Sequence, residues 1–99
     1  MIVRLLPEAE EDLESIADYI ARDAPKRAIS FTAELRAQVN GLAAMAESFP
    51  FARLARHPQV RRRTYRRYGI FYSINAAASC VDVLRILHGS RDLTKIFNP

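Results

Sequence analysis

Apolar positions recur at helical spacing in the first half of the chain and at strand spacing in the second. Residues 2–6 (IVRLL) are almost continuously apolar and are stopped by Pro7. This predicts a short strand lying against a helix layer. Over residues 8–23, Ala9, Leu13, Ile16, Ala17 and Ile20 fall on one helical stripe. Pro7 suits a first helical position, and Glu8, Glu10, Glu11, Asp12 and Glu14 complement the positive end of the helix dipole. Asp23-Ala24-Pro25 breaks this helix and can start the next. Over 26–47, Ala28, Phe31, Leu35, Val39, Leu42, Ala43 and Ala46 repeat the stripe and predict one long second helix. Gly41 sits inside it at a cost of about 1 kcal/mol, a cost that close packing would explain. The short connection makes the two helices an antiparallel hairpin.

Residues 50–59 read as irregular, punctuated by Pro50 and Pro58. Residues 60–65 (VRRRTY) are β-branched and aromatic among charges, Arg66-Arg67 reads as a tight turn, and 68–75 (YGIFYSIN) alternates as a strand. After a loop at 75–79 comes 80–88 (CVDVLRILH), apolar on both faces except at Asp82 and Arg85, as a central strand is. A helical turn is expected around Leu93–Ile96. The order is β-α-α-β-β-β, an α+β fold in which the helical hairpin covers one face of an antiparallel sheet. The position of the first strand in that sheet is open.

Composition adds limits. Hydrophobic residues are 49% and charged residues 26% of 99, the balance of a single globular domain spanning 1–99. One cysteine, Cys80, excludes an internal disulfide framework and a cysteine-based zinc cluster, which makes a reducing compartment the simplest assumption. No apolar run approaches membrane length, and the first residues are too short a stretch for a secretory signal, so the expected place is the cytoplasm. No metal or other cofactor is expected.

Charge is distributed unevenly along the chain. Residues 1–50 carry five Lys/Arg against nine Asp/Glu, while residues 51–99 carry ten against two, giving −4 and +8. Nine of those ten are arginine, whose planar fork recognises carboxylate or phosphate. The second half is therefore expected to meet a polyanionic partner: nucleic acid, a protein bound to it, or an acidic protein segment. On a strand, Arg61, Arg63 and Tyr65 point one way and Arg62 and Thr64 the other, so that strand lies at an edge. Edge protection alone takes one or two charges, and five of seven residues in 61–67 are arginine, so a binding surface is favoured. Arg85 either pairs with a carboxylate, from Asp82 or the helices, or lines a basic concavity. His88 ends the strand, with a structural role favoured over a general acid or base, and His57 reads as surface. Tyr65, Tyr68 and Tyr72 lie near the basic strand, where aromatics can stack nucleobases or simply pack in the sheet.

The segments YGIFYSINAAASCVDVLRILHGSRDL (68–93) and PEAEEDLESIADYIARDAPKRAISF (7–31) resemble the RelE/ParE toxin superfamily of bacterial type II toxin–antitoxin modules. The ending ILHGSRDL resembles the ParE branch. The resemblance implies a toxin that binds and inhibits DNA gyrase, arrests growth and is neutralised by a cognate antitoxin whose C-terminal segment wraps the helices and sheet, giving a hetero-oligomer. It implies target contacts through Arg61, Arg62, Arg63, Arg67, Tyr68, Arg85, His88 and Arg91, and antitoxin contacts through Leu13, Ile16, Ile20, Phe31 and Leu35. The second reading it implies is a ribosome-dependent mRNA endoribonuclease, with Arg61, Arg63 and Arg85 holding the scissile phosphate and His88 as acid or base. His88 is followed by Gly89, no tyrosine follows Tyr72, and Lys95 is the one lysine of this half, which favours a binding inhibitor over an enzyme. Common to both is the expectation that the arginines after residue 60 gather on one exposed patch.

Overall fold

The computed structural model describes residues 1–97. Its elements are β1 (Ile2–Leu5), α1 (Pro7–Ala21), α2 (Pro25–Asn40), α3 (Leu42–Met45), β2 (Arg61–Tyr65), β3 (Tyr68–Asn75), β4 (Cys80–His88) and α4 (Leu93–Phe97). Pro7 and Pro25 each open a helix, as their fixed φ and missing N–H permit. β2, β3 and β4 form the expected antiparallel meander, and the full order is β1-β4-β3-β2. β1 runs parallel to β4, Ile2–Leu5 beside Cys80–Val83, so the sheet is mixed and not antiparallel throughout. The reason lies in β4. Its buried backbone needs hydrogen-bond partners along both edges, and β3 supplies them along only one.

The α1–α2 hairpin covers one face, where Leu13, Leu35, Val39, Ile70, Tyr72 and Val83 form the main core. The other face is not bare. Phe71 and Leu87 point away from the hairpin and join Leu54, Val60 and Phe97 in a second, smaller core roofed by the irregular 50–60 segment and α4. His57 fastens that roof: its Nε2 lies 2.6 Å from the Phe97 carbonyl oxygen.

The second helix stops at Asn40, short of the expected 47, and one turn of α3 follows. Arg63 on β2 donates to the Gln38 carbonyl at 2.9 Å, and a Cβ on Gly41 would lie 2.9 Å from the same guanidinium nitrogen. Gly41 thus lets the sheet satisfy the last carbonyls of α2. Tyr72 does the same for α3, its hydroxyl donating to the Ala46 carbonyl at 2.6 Å.

β4 changes neighbours midway. Phe71 faces Arg85 and Tyr72 faces Val83, so Leu84 is an extra residue, a bulge. At the same level β1 turns into α1, and the Leu6 N–H closes the ladder on the Val83 carbonyl at 3.0 Å. Past that point α1 stands where a strand would. Among the described residues, no helix is long and apolar enough to cross a membrane.

Candidate functional site

The arginines after residue 60 do not gather on one patch. Arg61 and Arg63, on the hairpin side of β2, lie over the rings of Phe51 and Phe49 and donate to the Phe49 and Gln38 carbonyls at 2.7 and 2.9 Å. Arg62, on the opposite face, lies across Gly69 onto the Phe71 ring. Arg85 pairs with a helix carboxylate, as one of its two expected roles has it, and takes neither Asp82 nor a place in a basic concavity. It forms a two-pronged pair with Asp12 of α1, Nε to Oδ2 at 2.8 Å and Nη2 to Oδ1 at 2.9 Å. Hydrogen bonding to Asp12 raises the Arg85 pKa above its ordinary value, against a smaller opposing effect of burial. The same Asp12 Oδ2 accepts the Ile86 N–H at 2.9 Å, so one carboxylate serves a cation and a strand edge. Asp82 pairs instead with Arg4 across the β1–β4 ladder.

Consequently the set Arg61, Arg63, Arg85 and His88 is not assembled. Through the register, Tyr65, Tyr68 and His88 form one row, and Arg61 stands four residues away from it, about 13 Å at strand rise. These three arginines work as structural fasteners, because Arg63 and Arg85 meet a carbonyl and a carboxylate of the hairpin and Arg61 meets the Phe49 carbonyl beyond α3.

Residues that do come together are Arg67, Tyr68, His88 and Arg91. They line one end of a groove of about 820 Å³ between α1, the start of α2 and the end of β4. Arg66 and Arg27, which the sequence reading left out, stand beside them. Ile16, Ile20, Phe31 and Ile86 give the groove its apolar floor. Arg66, Arg67 and Arg91 are exposed and have no ion-pair partner among the described residues. Arg27 is paired with Glu34, which also accepts the Tyr65 hydroxyl. Those two contacts, Arg27 first, hold the Glu34 carboxyl below the usual carboxylate range.

Tyr68 packs against Phe31 and edge-on against His88, at 5.5 and 5.3 Å between ring centres. Burial pushes its phenol above the ordinary tyrosine pKa. His88 Nδ1 lies 2.8 Å from the Ser90 hydroxyl and accepts the Ser90 N–H at 3.1 Å. The imidazole is therefore oriented by the turn that follows it. Arg66 holds a left-handed backbone, φ 55°, which is unusual for a side chain this size. The two-arginine turn straddles the sheet edge. Arg67 and His88 also line a second hollow of about 180 Å³ on the opposite face, next to Arg62 and Gly89.

Of the five expected antitoxin contacts, four are core residues, Ile16 and Phe31 at 8% and 6% exposed among them, and three line the groove. Leu13 and Leu35 are 2% and 0% exposed and do not line the groove. Ile16, Ile20 and Phe31 present their edges to the groove. Arg66 was legible only as turn material in the sequence, since nothing in a residue string shows which turn residue flanks a groove. Among the described residues no cluster of three His, Cys, Asp or Glu could hold a metal ion.

A family model described as the ParE toxin of the type II toxin–antitoxin system, parDE, matches residues 3–93. Among solved structures the chain is similar to one from a chromosomal ParDE toxin–antitoxin system of P. aeruginosa, with 20% identity, a TM-score of 0.79, and 89% of this chain and 95% of that one covered. It is also similar to one from the toxin–antitoxin complex RelBE2 of Mycobacterium tuberculosis, with 18% identity, a TM-score of 0.66, and 88% and 95% covered. A search of curated proteins found no match.

Proposed function

Because the chain belongs to the ParE toxin family of type II toxin–antitoxin systems, we propose that it inhibits DNA gyrase by binding and that a cognate antitoxin neutralises it in the cytoplasm. The observation that carries the binding mechanism is the split among the arginines. Those that would hold a scissile phosphate are bonded to carbonyls and to Asp12. Arg66, Arg67 and Arg91, three of the arginines of this half without a carboxylate partner, cluster at one rim beside His88 and Tyr68, while Arg53, Arg56 and Arg62 lie outside it. Free guanidinium groups on a rim steer and hold an acidic partner surface without cleaving anything. Target contacts are assigned to Arg67, Tyr68, His88 and Arg91, with Arg62 reached across the turn; Arg61, Arg63 and Arg85 support the fold behind them. The antitoxin takes the groove through Ile16, Ile20 and Phe31, and covers the same rim. Neutralisation is then direct occlusion.

The test is a supercoiling assay with purified gyrase, run beside mRNA cleavage on programmed ribosomes. Gyrase inhibition with intact mRNA is expected, weakened at least tenfold by Arg67→Glu or Arg91→Glu. Cut mRNA with unimpaired supercoiling would establish the ribonuclease reading instead.

A further inference from the structure

The second hollow, on the face away from the hairpin, is built differently from the groove. It is small, about 180 Å³, and Arg62, Arg66, Arg67 and His88 border it, while no carboxylate does among the described residues. The nearest acid in sequence, Asp92, is taken up by the Thr94 N–H, which it accepts at 3.0 Å. Unlike Arg61, Arg63 and Arg85, Arg62 meets no carbonyl or carboxylate among the described residues. It is held in place all the same. Its side chain lies across Gly69, where a Cβ would come within 2.9 Å of it, and its guanidinium rests 5.5 Å from the centre of the Phe71 ring. Arg67 is fixed through its backbone, whose carbonyl accepts the Gly89 N–H at 2.8 Å. His88 Nδ1 accepts the Ser90 N–H, which leaves Nε2 as the donor nitrogen of the neutral ring. The wall at Gly89 is bare, since a Cβ there would meet only the Arg67 carbonyl, at 3.5 Å. Fixed donors, no acid and a bare backbone wall let an anionic group approach closely.

The charge pattern selects the class of anion. Arg66, Arg67 and His88 border the groove as well as the hollow, so the cations run as one band around the end of the sheet. An acidic protein surface offers separate carboxylates among other charges, whereas a nucleic-acid backbone offers one anion after another along a line. The aromatic rings at the hollow present no open face: Phe71 is buried under Arg62, and Tyr68 packs on Phe31 and His88. The hollow therefore suits a duplex gripped by its backbone, with its bases stacked inside, and not a single strand that needs rings to stack on. We propose that it binds a phosphodiester of duplex DNA through Arg62, Arg66 and Arg67, with the His88 Nε2–H in support and without reading sequence. The proposal deepens the gyrase reading and rests on it for where the DNA comes from. The toxin holds the enzyme through Tyr68 and Arg91 and the enzyme-bound duplex through the hollow.

Fluorescence anisotropy of a labelled mixed-sequence duplex with the purified toxin, over a range of KCl, tests it. Affinity should fall with salt on a log–log slope of about −2.7 or steeper, three phosphate contacts at about 0.9 each. Arg62→Gln should reduce that slope by about 0.9 and weaken binding at least threefold. Gly89→Glu leaves every arginine in place and has room for its Cβ, and should weaken binding at least tenfold. Arg56→Gln, outside the hollow, should change neither. In supercoiling assays Arg62→Gln should lose at least fivefold in inhibition while its capture of DNA-free gyrase stays at the level of the unaltered toxin. No duplex binding, or binding indifferent to Arg62→Gln and to Gly89→Glu, would overturn the DNA site, and gyrase inhibition that persists then leaves the gyrase reading standing. Duplex binding without gyrase inhibition would overturn the gyrase reading and keep the DNA site. Capture of DNA-free gyrase weakened by Arg62→Gln would give the hollow to an acidic protein surface and overturn the proposal.

Discussion

Asp12 ties α1 to β4. Its carboxylate meets the Arg85 guanidinium twice and the Ile86 N–H once, all within 2.9 Å. Asp12→Ala would leave a half-buried cation and a strand N–H unpaired, for a loss of about 2–3 kcal/mol. Arg85→Ala leaves Asp12 still bonded to Ile86, and should cost about 1 kcal/mol less. Urea unfolding of both variants checks the order, and equal losses would refute this division of labour. Arg66 makes the opposite case. Its left-handed φ of 55° strains any side chain, and glycine relieves it. Arg66→Gly should therefore hold stability or raise it by up to about 1 kcal/mol, while partner binding falls. A variant equally stable and equally able to bind would show that the turn arginine has no part in recognition.

At the scale of elements, the sheet and the hairpin fasten each other through arginines and a tyrosine set on helix-end carbonyls. Gly41 exists for this approach. Its φ of −61° is ordinary, so alanine would fit the backbone and would gain helix propensity, but its Cβ would displace the Arg63 guanidinium 2.9 Å away. Gly41→Ala alone should be nearly neutral, the two effects cancelling. In an Arg63→Ala background the same change should stabilise by about 0.5–1 kcal/mol, and a double-mutant cycle measures the difference. Gly69 has no such release. A Cβ there would meet the Phe71 ring at 2.9 Å, and that ring is in the second core, so Gly69→Ala should cost about 1–3 kcal/mol.

For the whole molecule, the two cores and the charge split set the response to pH. Burial raises the pKa of both Tyr68 and Tyr72 above the ordinary tyrosine value of 10.0. A group whose pKa is higher folded than unfolded contributes fully below its unfolded value and loses that contribution as pH rises through the folded one. Stability should therefore fall above about pH 10, as unfolded tyrosines ionise before the folded ones. Unfolding midpoints from pH 8 to 11 check this, and Tyr72→Phe should flatten the decline. Glu34 acts at the other end. Its lowered pKa makes its pairing with Arg27 and Tyr65 a contribution present above the ordinary carboxylate range and lost as acid protonates it.

The helical hairpin, the meander, the edge position of β2 and the basic, arginine-rich character of the second half are legible in the residue string, though not the break of the second helix at Gly41. Each of these follows from spacing along the chain, and helix and strand periods are local. The string also carried the family, through 7–31 and 68–93. Which arginines are free follows only from how the chain packs. Arg61, Arg63, Arg67 and Arg91 look alike in sequence, yet two meet carbonyls 25 and 12 residues distant and two meet none. The same holds for the parallel seat of β1 and the second core beneath α4. Each depends on where another element ends, and a guanidinium or a backbone carbonyl is satisfied or left open by neighbours that sequence distance does not reveal.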